Sequence, residues 1–316
     1  MPKRSLSNRP TLPAARVSNR GRAFAFALLL GLGGCHTFDH IVVDRIGDTV
    51  SAGGTVFTGD TDPQLVLDAL PFGLKTYESL LAATPQHRGL LLASARGFTA
   101  YAYLLQQNAD LDAKLDYADR RALDRRIRAL FLRGRDYALR GLARDDPDID
   151  AELAAGRPLA RLRTRDVAFL YWAGTAWAGA IDASKGDPGL LVQLPLAAAL
   201  MQRALELDDA YDAGAIDEFF VTYEGTRPGG DAAAARRHYE RALALSRGAR
   251  ASLYLALAES VAVRDQDAAE FRALLQRALA VDPNGVAEWR LINTVSQRRA
   301  VWLQTRVPIL FLDEEK

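Results

Sequence analysis

Three segments of this chain repeat one pattern at nearly even intervals. Arg203-Ala204-Leu205-Glu206-Leu207-Asp208, Arg241-Ala242-Leu243-Ala244-Leu245-Ser246 and Arg277-Ala278-Leu279-Ala280-Val281-Asp282 begin 38 and 36 residues apart. A pattern recurring at that interval describes a chain built from small helical units, each unable to bury its apolar face alone and therefore obliged to stack on its neighbours. Tyr77-Glu78-Ser79-Leu80-Leu81-Ala82 resembles Tyr239-Glu240-Arg241-Ala242-Leu243-Ala244 in the same way and extends the pattern toward the start. From Asp62-Pro63 onward apolar residues recur at helical spacing, and alternating strand-like runs are scarce. The clearest helix covers 267 to 281, where Ala268, Phe271, Leu274, Leu275, Ala278 and Leu279 form one stripe. Asp267 with Glu270 gives it a capping box, and Asp282-Pro283-Asn284-Gly285 a stop. A longer helix is expected from about Val286 to Arg306, ending before Pro308. The pattern predicts an all-α chain of about ten paired helices forming a single domain over 62–316. Loops are expected near Asp145-Pro147, Gly156-Pro158, Gly186-Pro188 and Pro228-Gly230.

The N-terminus follows different rules. Residues 1–34 carry six basic residues and no acidic one, and an apolar run from Ala23 to Leu32 leads into Leu32-Gly33-Gly34-Cys35. That run is too short to cross a hydrocarbon core, which takes about twenty residues, and it has the form of an export signal. Small residues before a cysteine, with Leu one place further back, match the bacterial lipobox, so Cys35 is expected to be lipidated and to become the first mature residue. Cys35 is also the one cysteine in the sequence, which leaves no second thiol for a disulfide. The alternative for Cys35 is a buried free thiol. His36, rather than Asp, follows it, and the sorting expected from this is to the periplasmic face of the outer membrane. Residues 35–61, with Gly53-Gly54 and Gly59-Asp60, are expected to form a lipidated tether. The basic leader is long, and a translation start near Val17 would give it a more compact charged beginning.

Hydrophobic residues make up 49% of the sequence, which excludes disorder over its whole length. The net charge of +1 comes from the leader; without residues 1–34 the balance is −5, so phosphate-driven binding to nucleic acid is not expected. No Gly-x-x-x-x-Gly-Lys-Ser/Thr loop, Gly-x-Ser-x-Gly elbow or His-Glu-x-x-His helix occurs. A catalytic role, a cofactor and a metal are therefore not expected. His36 and His40 have the spacing of a helical metal pair, but they fall in the expected tether, where solvated side chains are the simpler reading. Residues 120–165 hold thirteen arginines against seven acids. They read either as a solvated face paired with Asp124, Asp136 and the Asp145 to Asp150 run, or as an anion-attracting face on which Arg121, Arg125 and Arg128 bind a partner protein.

The segment from Phe169 to Ala180 mixes Tyr171, Trp172 and Trp177 with Gly and Ala on one helix, and Phe219, Phe220 and Tyr223 follow on a later one. Core packing is the default for such side chains. The six aromatics are also the candidates for lining an apolar cavity.

The repeated segments look like second helices of irregular, tetratricopeptide-like hairpins, in a degenerate form that lacks that family's Trp-x-x-Leu-Gly signature. Over about 35 to 312 the chain resembles the T component of tripartite ATP-independent periplasmic (TRAP) transporters, the TatT lipoproteins. The resemblance is carried by Asp62-Pro63-Gln64-Leu65-Val66, Asp68-Ala69-Leu70-Pro71-Phe72, Lys75, Glu78-Ser79-Leu80-Leu81, Pro85 and Gly97-Phe98-Thr99 before Tyr101. Tyr137-Ala138-Leu139-Arg140, Trp172, Arg203 to Asp208, Tyr211-Asp212-Ala213-Gly214-Ala215, Gly229-Gly230-Asp231, Phe271 and Arg290-Leu291-Ile292-Asn293 before Gln297 continue it in order. It implies a homo-oligomer, with a trimer among the expected sizes, that associates with a periplasmic solute-binding protein and shelters a hydrophobic or amphipathic solute. It supplies no catalytic residues. The alternative role is a lipid-anchored helical scaffold for envelope assembly.

Overall fold

The computed structural model describes residues 54–112, 114–184 and 187–312, and every regular element among them is helical. The leader, Cys35, His36, His40 and most of the expected tether lie outside the described residues. The elements are α1 (Gly54–Thr58), α2 (Pro63–Ala83), α3 (Arg88–Leu111), α4 (Tyr117–Leu142), α5 (Ile149–Ala154), α6 (Val167–Asp182) and α7 (Pro188–Leu191). They continue as α8 (Leu194–Leu207), α9 (Ala215–Thr226), α10 (Ala232–Ser246), α11 (Ala251–Leu257), α12 (Ala268–Ala280), α13 (Arg290–Gln304) and α14 (Val307–Leu310). A π-helical turn, Ala258–Ala262, prolongs α11.

Local chemistry sets the helix ends. Asp62 caps α2 by accepting from the backbone N–H of Gln64 and Leu65, with Pro63 in the first turn, where its missing N–H costs nothing. His87 caps α3 through Nδ1, which accepts from Leu90 N–H at 3.1 Å. Asp267 caps α12 by accepting from Glu270 N–H at 2.8 Å, and Phe271, Leu274, Leu275 and Ala278 on the apolar stripe are buried. The last long helix differs from the expectation at both ends. It opens with a 3₁₀ turn, Ala287–Trp289, and after Gln304 the chain resumes in α14 with Pro308 in its first turn, a position the ring tolerates.

Successive helices pack on one another through small residues. A Cβ on Gly134 of α4 would stand 2.7 Å from Thr99 Oγ1 and 3.1 Å from the Ala95 carbonyl oxygen of α3. On α6, a Cβ at Gly174 would lie 3.1 Å from the Ala197 carbonyl oxygen of α8, and one at Gly179 2.6 Å from the Phe131 ring of α4. The glycines and alanines of α6 thus seat it between α4 and α8. The alanine of each repeated segment serves the same purpose: Ala204, Ala242 and Ala278 are all fully buried. By length and composition the apolar stretch Pro188–Leu207 could cross a bilayer. Its Ala197, Leu200, Met201 and Ala204 are buried in the main core.

The stack closes on itself. Leu291 and Val295 of α13 share a core with Val66, Leu67, Leu70 and Leu74 of α2 and with Phe98, Tyr101 and Leu104 of α3. Arg290 donates to the Gly59 carbonyl oxygen at 2.8 Å, across 231 residues of sequence. α1 packs against α13 and its leading 3₁₀ turn, and Phe57 adds to the shared core. Helical structure is therefore present before residue 62, inside the stretch expected to be tether, because Phe57 finds an apolar partner that the closed chain supplies.

Candidate functional site

Closure brings α3, α6, α9, α11 and α13 together around two arginines, Arg250, which is buried, and Arg299, which is half-buried. Arg250, at the start of α11, is 7% exposed. It donates to the Asp212 carbonyl oxygen and carboxylate, each at 3.0 Å, and to Glu218 of α9 at 3.1 Å. Its guanidinium lies 5.1 Å from the Trp289 ring centroid, and Trp289 Nε1 donates to the other Asp212 carboxylate oxygen at 3.0 Å. Burial works against the Arg250 charge, but Glu218 and Asp212 outweigh it and raise the pKa further. The loop that delivers Asp212 is strained. Asp212 and Ala213 have φ of 42° and 50°, and Gly214 follows at 95°. Left-handed conformations cost roughly 1–2 kcal/mol per non-glycine residue, which the three contacts of Asp212 offset.

Arg299 of α13 is the second centre. It donates to both Glu259 carboxylate oxygens, at 2.7 to 3.0 Å, and to Asp110 at 3.2 Å and Gln107 at 3.3 Å on α3. Glu259 sits in the π turn, whose extra residue turns it toward α13. For Tyr103 of α3 and Tyr171 of α6, burial pushes both hydroxyls far up, and Glu218 acts on both, while Arg299 opposes the shift at Tyr103 and Arg250 at Tyr171. Both tyrosines nonetheless keep solvent-accessible surface.

The aromatics singled out from sequence fall in or against one core cluster, in two environments. Trp177 and Phe220 are buried; Trp177 donates to Gln193 at 3.0 Å beneath the Arg135 guanidinium, and Phe220 stacks on His238 at 5.0 Å. Tyr171, Trp172, Phe219 and Tyr223 are half-buried. Tyr171 touches Trp172 and Tyr211, each at 5.2 Å between centroids, and Phe219 stacks on Tyr223 at 6.0 Å. Burial raises the Tyr211 pKa, against Arg96 of α3 and the Trp172 N–H, which approach its hydroxyl. Tyr171, Trp172 and Tyr211 thus adjoin the Arg250 centre. Neither of two surface depressions, lined respectively by residues of α10 to α12 and by Arg272, Gln276, Gln304 and Val307, includes any of the six.

The basic stretch divides. Arg120 pairs with Asp110 and Asp124, Arg135 with Asp136, Arg88 and Arg165 with Asp145, and Arg161 with Asp146 and Asp148; the part of the stretch paired in this way is partly buried, and Asp146 fully so, rather than a solvated face. Arg121 and Arg125 are exposed on the same side of α4; Arg121 contacts the Tyr117 hydroxyl and ring, and Arg128 makes a 3.3 Å contact with Asp187. Tyr117 is 76% exposed and Val192, near Asp187, 75%. Sequence reasoning missed both arginine centres and Trp289. Among the described residues no group of three or more His, Cys, Asp or Glu side chains is placed to hold a metal ion.

An uncharacterized protein of Treponema pallidum (strain Nichols) is 31% identical over 268 residues, covering 82% of this chain and 83% of that protein. The profile of the TRAP transporter T-component family matches residues 59–311, from the Gly59 carbonyl that Arg290 grips to Phe311 in the last core. A match of that extent shows that the chain belongs to the TRAP transporter T-component family.

Proposed function

We propose that the protein is a non-catalytic accessory component of a TRAP-type transport system, which docks a periplasmic solute-binding protein and shelters a solute as it passes between partners. The family match over residues 59–311 carries this reading. The half-buried aromatics beside the Arg250 centre support it and suggest the solute class. Half-buried aromatics adjoin arginines whose charge is already met by carboxylates, a lining that suits an amphipathic molecule with an apolar body and a polar end. Arg121, Arg125 and Arg128, with Tyr117 and Val192 nearby, form the docking face in this account, where arginine and aromatic side chains suit an acidic partner surface. Lipidation at Cys35 holds the protein on the periplasmic face of the outer membrane, and it works as a homo-oligomer of trimer size.

Crosslinking the tagged mature protein in envelopes, followed by mass spectrometry of bound proteins and extracted small molecules, tests this. Recovery of a periplasmic solute-binding protein supports the transport role; recovery of envelope-assembly proteins alone replaces it with the scaffold.

A further inference from the structure

A depression of about 210 Å³ lies between α10, α11 and α12, apart from the Arg250 and Arg299 centres, and is lined by Arg236, Tyr239, Glu240, Leu257, Glu270, Ala273, Leu274 and Arg277. Two features mark it out. Tyr239 is 3% exposed, and its hydroxyl is buried without a hydrogen-bond partner. An orphaned buried hydroxyl is uncommon, because nothing in the fold replaces the water it has given up. Burial pushes the hydroxyl up to about 12, against Arg277, so at neutral pH it is a proton donor. The charges along the depression are also unevenly satisfied. Arg236 and Glu270 neutralise one another through two bonds of 2.5 and 2.8 Å. Arg277 rests 4.9 Å over the Tyr254 ring, Glu240 is exposed, and neither makes an ion pair among the described residues.

What remains in the lining is one unpaired guanidinium, one buried donor, one exposed unpaired carboxylate, and the apolar side chains of Leu257, Ala273 and Leu274. We propose that this depression binds a small zwitterion of amino-acid size, with its carboxylate on Arg277 and the Tyr239 hydroxyl, its ammonium on Glu240, and its carbon body on the apolar wall. The fixed charges form a dipole, which a zwitterion complements and a simple anion or cation meets only at one end. The volume corresponds to about seven water molecules, enough for a short amino acid and too little for a peptide. The Tyr239 hydroxyl is buried, and Arg277, which lies 4.9 Å over the neighbouring Tyr254 ring, is the flexible lining side chain whose turning aside gives the carboxylate access. The site stands independently of the transport reading.

Isothermal titration of the full mature chain with L-valine, 3-methylbutanoate and isobutylamine tests it. L-Valine is expected to bind, with each single-charge analogue weaker by about tenfold or more, since each lacks one charged hydrogen-bonding end. R277Q and E240Q are each expected to weaken L-valine by about tenfold, and Y239F by a smaller factor, with unfolding midpoints near that of the parent chain. Absence of L-valine binding, equal binding of the analogues, or binding indifferent to R277Q and E240Q would each overturn the proposal. So would a Y239F variant that is more stable than the parent and binds L-valine unchanged, since the hydroxyl would then be merely an unsatisfied group.

Discussion

Arg299→Gln is the substitution that most directly probes how the chain closes. Arg299 bridges α13 to the π turn that prolongs α11 and to α3, whose carboxylate partner Asp110 lies 189 residues away in sequence. Its side chain is 19% exposed, that of Glu259 31% and that of Asp110 18%. Breaking a buried ion pair by removing one partner costs about 3–5 kcal/mol, most of it from the charge left behind. Two features lower that here: Glu259 retains partial contact with water, and Asp110 keeps Arg120 at 2.6 Å. The expected loss is therefore about 2–3 kcal/mol. With a urea m-value of about 2–3 kcal/mol per molar, the equilibrium midpoint falls by roughly 1 M. A double-mutant cycle with Glu259→Gln should give a coupling of about 1.5–3 kcal/mol, as expected for charge-assisted bonds. Amides of α1, α2 and α13 should lose exchange protection before those of α6 and α8, because the closing contact is made at the chain ends. A midpoint shift under about 0.2 M together with no coupling would refute the reasoning, since a latch that can be deleted without cost closes nothing.

Other expectations follow from single contacts. Gly134→Ala removes a helix-disfavouring glycine, worth about 1 kcal/mol, but sets a Cβ 2.7 Å from Thr99 Oγ1 and 3.3 Å from its backbone nitrogen, so a net loss of about 1–2 kcal/mol should appear in thermal unfolding. Asp267→Ala deletes the α12 cap and should cost about 1 kcal/mol by the same assay, with the fold retained in far-UV circular dichroism. For Glu78, burial is outweighed by Lys75, Tyr137 and Arg133, and for Glu224 by Arg227 and the Asp231 backbone, so both pKa values are lowered from 4.5. Their stabilisation is complete above pH 4.5 and is lost as the pH falls through their lowered values, so urea midpoints should drop on acidification and drop less in a Glu78→Gln variant. Glu152 has the opposite sign: burial and the neighbouring Asp146 raise its pKa above 4.5, so its charged form weighs on the fold above its raised value. Glu152→Gln should raise the midpoint at pH 7, and an unchanged or lower midpoint would count against that assignment.

Features fixed by neighbours in sequence were legible before the structure. The Asp267 cap, the stripe from Phe271 to Ala278 and the turn residues after it all act within one helix, and α12 has the expected form. The interval between the Arg-Ala-Leu segments likewise pointed to close helix contacts, where Ala204, Ala242 and Ala278 are buried. What depends on closure was not legible. Arg250 and Arg299 look in sequence like any other arginine, because the carboxylates that justify burying them lie on other helices. The π turn at Ala258–Ala262 contains no glycine or proline to announce it. Strain at Asp212 and Ala213 is equally silent, although Gly214 beside them is a usual sign of a left-handed turn. The aromatic set was half legible: composition marked all six, but only the packed chain separates Trp177 and Phe220, which fill the core, from the four that keep exposed surface.

The central claim is that this chain docks a solute-binding protein through the outer face of α4, and titration calorimetry between the purified mature chain and the solute-binding protein of its own TRAP system tests it most directly. The account predicts a saturable complex that weakens with added salt and is lost when Arg121, Arg125 and Arg128 are all replaced by Gln, with the unfolding midpoint unchanged. Absence of a complex at high micromolar protein would contradict the docking role, and a complex indifferent to the three substitutions would remove α4 from it.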